Sequence, residues 1–194
     1  GETAAIDPAV AGPVMDTLKE KGWTLSHILI THHHGDHTDG NIDLKKATGC
    51  TIVGAATDAS RIPGIDVRLK EGESISIGNH SAQVFDVSGH TVGHIAFWFE
   101  QDRALFSGDA LFSLGCGRMF EGDAEQFWVS LKKLRNLPDE TLVYCAHEYT
   151  NANADFALGI EPANEDLKRR ADEIVDLRKK GLPTVPASLG EEKK

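Results

Sequence analysis

Residues 31–41 read Thr-His-His-His-Gly-Asp-His-Thr-Asp-Gly-Asn, which puts His32, His34, Asp36 and His37 into one short loop with the pattern H-x-H-x-D-H. The run before it, Leu25-Ser-His-Ile-Leu-Ile30, is aliphatic and too short for a comfortable helix, so it predicts a buried strand. The loop therefore lies at a strand's C-terminal end. If the chain stays extended for a few more residues, His32 and His34 project from the same side and reach one cation. A turn at Gly35 then sends Asp36 and His37 elsewhere, towards a second. Imidazole with carboxylate suits zinc, iron or manganese. A solvated histidine cluster is the plain alternative, and the interleaved aspartate argues against it.

Three more candidate donors follow strand-like segments in the same way. His90 lies in Ser88-Gly-His-Thr-Val-Gly-His94, after Ala82-Gln-Val-Phe-Asp-Val87. Asp109 lies in Ser107-Gly-Asp-Ala110 after Arg103-Ala-Leu-Phe106, and His147 follows Leu142-Val-Tyr-Cys-Ala146. In each case an apolar strand ends, small residues mostly follow, and a His or Asp appears.

This set of motifs, with Gly115-Cys-Gly-Arg118 and His147-Glu-Tyr149, resembles the metallo-β-lactamase superfamily and within it the hydroxyacylglutathione hydrolase (glyoxalase II) family. The resemblance implies an α/β fold, a four-layer αββα sandwich with a partial helical appendage at the C-terminal end. Residues 1–149 would form the catalytic domain, and 150–194 would begin a helical domain that helps hold substrate. It also implies two divalent ions per chain, zinc first, with iron or manganese as alternatives. His32, His34 and His90 would hold one ion, Asp36, His37 and His147 the other, and Asp109 would bridge them. Arg118, Phe120 and Tyr149 match positions lining the substrate site, Phe120 standing where some relatives have Tyr.

The activity so implied is hydrolysis of S-2-hydroxyacylglutathione thioesters, such as S-lactoylglutathione. Water between two cations has its pKa lowered from about 15.7 towards neutrality, giving a hydroxide nucleophile. A thiolate leaves readily, so no strong general acid is needed, and Asp36 and Asp109 are expected to act as ligands that position the nucleophile. Asp at position 109, where the best-known β-lactamase subclass carries a Cys ligand, favours the thioesterase branch. The rival readings are a lactonase or β-lactamase, a persulfide dioxygenase using one iron, and a non-catalytic relative.

The remaining histidines have lesser expected roles. His33, between two ligands and oppositely oriented, is expected to be exposed or to support the site; His27 is expected to be structural, His80 to belong to a hairpin turn, and His94 to support the ligands. Cys50, Cys116 and Cys145 are odd in number and lack paired spacing, which favours free thiols in a reducing, cytoplasmic setting. Cys116 is read as a thiolate ligand or a small buried filler. The net charge of −10 opposes nucleic-acid binding, and no apolar run approaches the roughly 20 residues of a membrane span. A monomer acting on a glutathione thioester is expected.

Hydrophobic spacing places helices over residues 8–21, with Asp7-Pro8 as the start and Gly22 as the stop, and over 39–48, 124–136 and 164–180. Phe127 and Trp128 are expected in the core. Beyond Thr150 only helices are expected. Both ends look shortened, the first residues reading as half of a hairpin and the last stopping short of further glutathione-binding residues.

Overall fold

The computed structural model describes residues 1–194. Its first half alternates strands and helices: β1 (Ala4–Ile6), α1 (Ala11–Lys21), β2 (His27–Leu29), α2 (Gly35–Thr38), α3 (Asn41–Thr48), β3 (Thr51–Ala55) and β4 (Val67–Leu69). A run of strands follows: β5 (Ser74–Ile77), β6 (His80–Asp86), β7 (Ile95–Phe99), β8 (Ala104–Gly108), β9 (Leu111–Phe112) and β10 (Gly115–Cys116). The remainder comprises α4 (Ala124–Arg135), β11 (Leu142–Cys145), α5 (Thr150–Ile160), α6 (Glu165–Lys179), β12 (Ala187–Ser188) and α7 (Leu189–Glu192).

Alternation along the strands builds the layers. Strands β1 to β4 form a parallel four-stranded sheet, and β12-β11-β8-β7-β6-β5 form a mixed six-stranded one. On β2, Leu29 points into a core shared by the two sheets, where it joins Val53, Val84, Phe97 and Phe99. Its neighbours Ile28 and Ile30 point the other way, against Leu18 of α1 and Leu44 of α3. On β7, Phe97 faces inwards while Ala96 and Trp98 pack beneath Phe127 and Leu134 of α4. Helix, sheet, sheet, helix is therefore the order that lets central strands such as β3 and β7 bury both faces, the expected four-layer sandwich.

The helix boundaries follow their caps. The Asp123 carboxylate accepts from Gln126 N at 2.8 Å to start α4, and Asn164 does the same for Leu167 N at 3.1 Å to start α6. Gly22 ends α1 with φ at 66°. Three expectations need correction. Helix α1 begins at Ala11, not Pro8, because the Asp7 carboxylate is committed elsewhere. Trp128 is 53% exposed, on the flank of α4 that Phe127 does not share, with Lys132 Nζ 6.0 Å from its ring. And residues 150–194 are not purely helical: β12 pairs antiparallel with β11, and Leu189 is buried in the core beneath α4.

No helix is long and apolar enough to cross a membrane.

Candidate metal centre

The H-x-H-x-D-H loop leaves β2 and turns into α2, so its two halves face different ways. His32 and His34 lie side by side, with His32 Nε2 2.9 Å from His34 Nδ1. The loop between β6 and β7 brings His90, whose Nε2 lies 3.1 Å from the same His34 nitrogen. His37 and Asp36 point to the far side, where β11 ends and His147 enters; His147 Nε2 is 3.4 Å from Asp36 Oδ2. Asp109, just beyond β8, lies between the two groups. Its Oδ2 is 3.6 Å from His90 Nε2, and its Oδ1 is 3.4 Å from both His37 Nε2 and His147 Nε2. The structure thus brings together all seven side chains singled out from the motifs.

The donor atoms fall into three overlapping groups: His32, His34 and His90; His32, His37 and Asp109; and Asp36, His37 and His147. Ligands at about 2.0–2.1 Å around a tetrahedral zinc ion stand roughly 3.3 Å apart, which the separations here match. His37 Nε2 and Asp109 Oδ1 are buried without a hydrogen-bond partner. Such orphaned polar atoms are costly unless a cation satisfies them, so the donor set fits a metal.

Electrostatics prepare the imidazoles for that role. Burial, reinforced by the neighbouring rings, lowers the pKa of His32, His34 and His90, which keeps their nitrogen lone pairs free at neutral pH. At His37 burial acts in the same direction but is outweighed by the hydrogen bond and charge of Asp7, with a net rise. Burial raises the Asp109 carboxyl, against the pull of His37 and His147.

The supporting groups are equally specific. The Asp7 carboxylate accepts from Thr31 N at 2.7 Å and Thr31 Oγ1 at 2.6 Å, and its Oδ2 lies 3.0 Å from His37 Nδ1. That fixes both the start of the loop and one imidazole. His94, fully buried, accepts from Asp109 N at 3.0 Å through Nε2 and stacks on His32 at 4.6 Å. His33 turns away to Asp58. Glycines allow this density: a Cβ at Gly108, whose φ is 53°, would meet Thr31 Oγ1 at 2.4 Å, and one at Gly117 would meet the Asp109 carbonyl oxygen at 2.0 Å. Asp7 was missed because Asp-Pro ahead of a helical pattern reads as a cap; its partners lie 24 and 30 positions on.

A cleft of about 460 Å³ opens over the donors, walled by Arg118, Phe120, Tyr149, Phe112 and Asn153. The three expected substrate contacts therefore lie together at the centre. The Arg118 guanidinium lies 5.4 Å from the Phe120 ring centroid, and Tyr149 stacks on His147 at 4.9 Å. Cys116 is exposed on the wall of the cleft, and its sulfur belongs to none of the donor groups, contrary to both roles expected for it. All three cysteines are free thiols.

Known proteins resemble the chain in sequence and in fold. Residues 1–147 match the family described as the Metallo-beta-lactamase superfamily, and residues 148–194 match the Hydroxyacylglutathione hydrolase C-terminus. The hydroxyacylglutathione hydrolase of Methylococcus capsulatus is 62% identical over 99% of this chain and 75% of its own length. Among solved structures, ETHE1 from Myxococcus xanthus superposes with a TM-score of 0.69 at 34% identity, covering 76% of this chain and 66% of that one. TTHA1623 in a di-iron-bound form gives 0.65 at 29% identity, covering 73% and 80%. With its αββα layers, its clustered His and Asp donors and these matches along its whole length, the chain belongs to the hydroxyacylglutathione hydrolase family of the metallo-β-lactamase superfamily.

Proposed function

We propose that this chain hydrolyses S-2-hydroxyacylglutathione thioesters, S-lactoylglutathione among them, using two zinc ions. The observation that carries this reading is Asp109, which presents one oxygen to each of two donor groups at the floor of a cleft holding an arginine. His32, His34 and His90 would hold one ion, Asp36, His37 and His147 the other, with Asp109 between them. The di-iron form of TTHA1623 supports a two-ion count in this fold and keeps iron as the alternative metal.

Bound cations would supply a water of lowered pKa and Lewis-acid stabilisation of the oxyanion. The chain's own residues do the rest. Arg118 offers a planar fork suited to a carboxylate such as the glycine end of glutathione. Phe120 and Tyr149 flank it and shield the thioester from bulk solvent, Phe120 by packing alone. Asp36 and Asp109 act as ligands, not proton shuttles. Hydrolysis adds hydroxyl to the carbonyl carbon and breaks the C–S bond; the departing thiolate takes up a proton from water.

Residues 1–149 form the catalytic unit in this reading, and 150–194 contribute the substrate wall. The free thiols and the net charge of −10 fit a cytoplasmic monomer that does not bind nucleic acid.

The test is thioester loss from S-lactoylglutathione by protein whose metals are counted in the same sample. Turnover with about two ions per chain supports the reading. Metal without thioester turnover, but with cleavage of a lactam or lactone, overturns the substrate assignment.

A further inference from the structure

A line of charged side chains runs from the metal loop to the turn that walls the cleft. His33, between His32 and His34, points away from the donors, with Nδ1 2.8 Å from Asp58 Oδ2. Asp58 is fully buried, and its other oxygen accepts from Arg61 Nε at 2.7 Å. The two terminal nitrogens of Arg61 reach both oxygens of Glu121, the Nη2 to Oε2 bond measuring 3.1 Å. Glu121 Oε2 also accepts from Val92 N at 2.9 Å.

The loop bearing His90 is enclosed by this line. A Cβ on Gly93 would lie 2.3 Å from Asp58 Cγ, so backbone is pressed directly against the buried carboxylate. Phe120 N donates to His90 O at 3.1 Å and Gly122 N to Gly89 O at 3.2 Å, tying the cleft turn to the same loop. Phe120 in turn packs its ring 5.2 Å from that of His90 and 5.7 Å from that of His34. Exposed ion pairs contribute little. Here, however, one carboxylate is wholly buried and the guanidinium bonds forkwise to the other, the geometry in which such pairs are strong and directional.

We infer that Arg61 and Glu121 are positioning residues: through Asp58 and His33 they fix the turn at residues 117–122, with Arg118 and Phe120, over the metal loop. They thereby set the affinity for substrate and leave the reacting atoms untouched. The identity of that substrate rests on the function proposed above; the mechanical link does not.

The experiment compares the parent chain with Arg61→Ala, Glu121→Ala and Glu121→Gln. Three readouts are taken: bound metal, amide hydrogen exchange of segments 89–93 and 117–122, and kcat and KM for S-lactoylglutathione. Glu121→Ala leaves the Asp58 to Arg61 bond in place and so guards against unfolding in Arg61→Ala. The expected result is unchanged metal, exchange about tenfold faster in 117–122, KM raised about tenfold and kcat within about threefold. Glu121→Gln, which still accepts from Val92 N, should fall between. Unchanged exchange and KM would overturn the inference, and so would metal loss that tracks kcat. If the parent does not cleave the thioester, the function fails and the exchange readout alone decides: faster exchange supports the link, and parental exchange refutes it.

Discussion

Asp7 is not among the residues that line the cleft with Arg118, yet it holds both the backbone where the metal loop begins and the ring of His37. A carboxylate behind a ligating imidazole orients it and strengthens it as a donor, and losing such a group commonly costs 10–100-fold in metal affinity, on the order of 1–3 kcal/mol. Asp7→Asn should therefore bind zinc about 10–100-fold more weakly with the fold intact, as read by competition against a chromogenic chelator. Replacing both His32 and His34 by Ala should remove about one ion per chain and nearly all hydrolysis; retained activity would sink the ligand assignment. Glu121 makes a prediction in pH. Its hydrogen bond to Arg61, with that to Val92 N, holds it down to about 2 from an ordinary 4.5. A depressed carboxyl stabilises the folded state above 4.5 and loses that contribution as the pH falls towards 2. Denaturant midpoints of metal-stripped parent and Glu121→Gln should accordingly converge as the pH falls from about 5 towards 2. The seven donors were legible because each sits in a short motif after an apolar run. Asp58, Arg61 and Glu121 were not, since His33 and Asp58 are 25 positions apart, Arg61 and Glu121 60 apart, and no local period marks such partners.

At the scale of elements, α4 shows how a correct helix can still yield a wrong burial assignment. Phe127 and Trp128 are adjacent, so a helical period of 3.6 separates them by about 100°, enough to put Phe127 at 3% exposure and Trp128 at 53%. Phe127→Ala should cost about 3–5 kcal/mol in chemical denaturation, whereas Trp128→Lys should stay within about 0.5 kcal/mol. Strand β12 was illegible for a different reason. Ala187 and Ser188 form a pair too short for alternation to register, and their place is decided by the open edge of β11. Leu189, next to it, is 2% exposed, so Leu189→Ala should destabilise the six-stranded sheet by about 2–5 kcal/mol although it lies outside the segment first read as catalytic.

For the molecule as a whole, the four-layer stacking and the cleft residues Arg118, Phe120 and Tyr149 were legible through the family resemblance alone, because alternating strands by themselves admit more than one stacking and the cleft walls come from turns between them. Stripping the ions should lower the thermal midpoint and restoring zinc should raise it in proportion to the logarithm of free metal, since the folded state alone assembles the donors. Asp109 and His147 stand just beyond the neighbouring parallel strands β8 and β11, while His32 stands after β2 in the other sheet. A growing chain can complete this set only once residue 147 has emerged. In the proposed division the ion of His32, His34 and His90 has its ligands once Asp109 has emerged, whereas the ion of Asp36, His37 and His147 would lack a ligand until residue 147 follows and be released more readily. The two ions would thereby be loaded in sequence, the second only after strands of both sheets have come together.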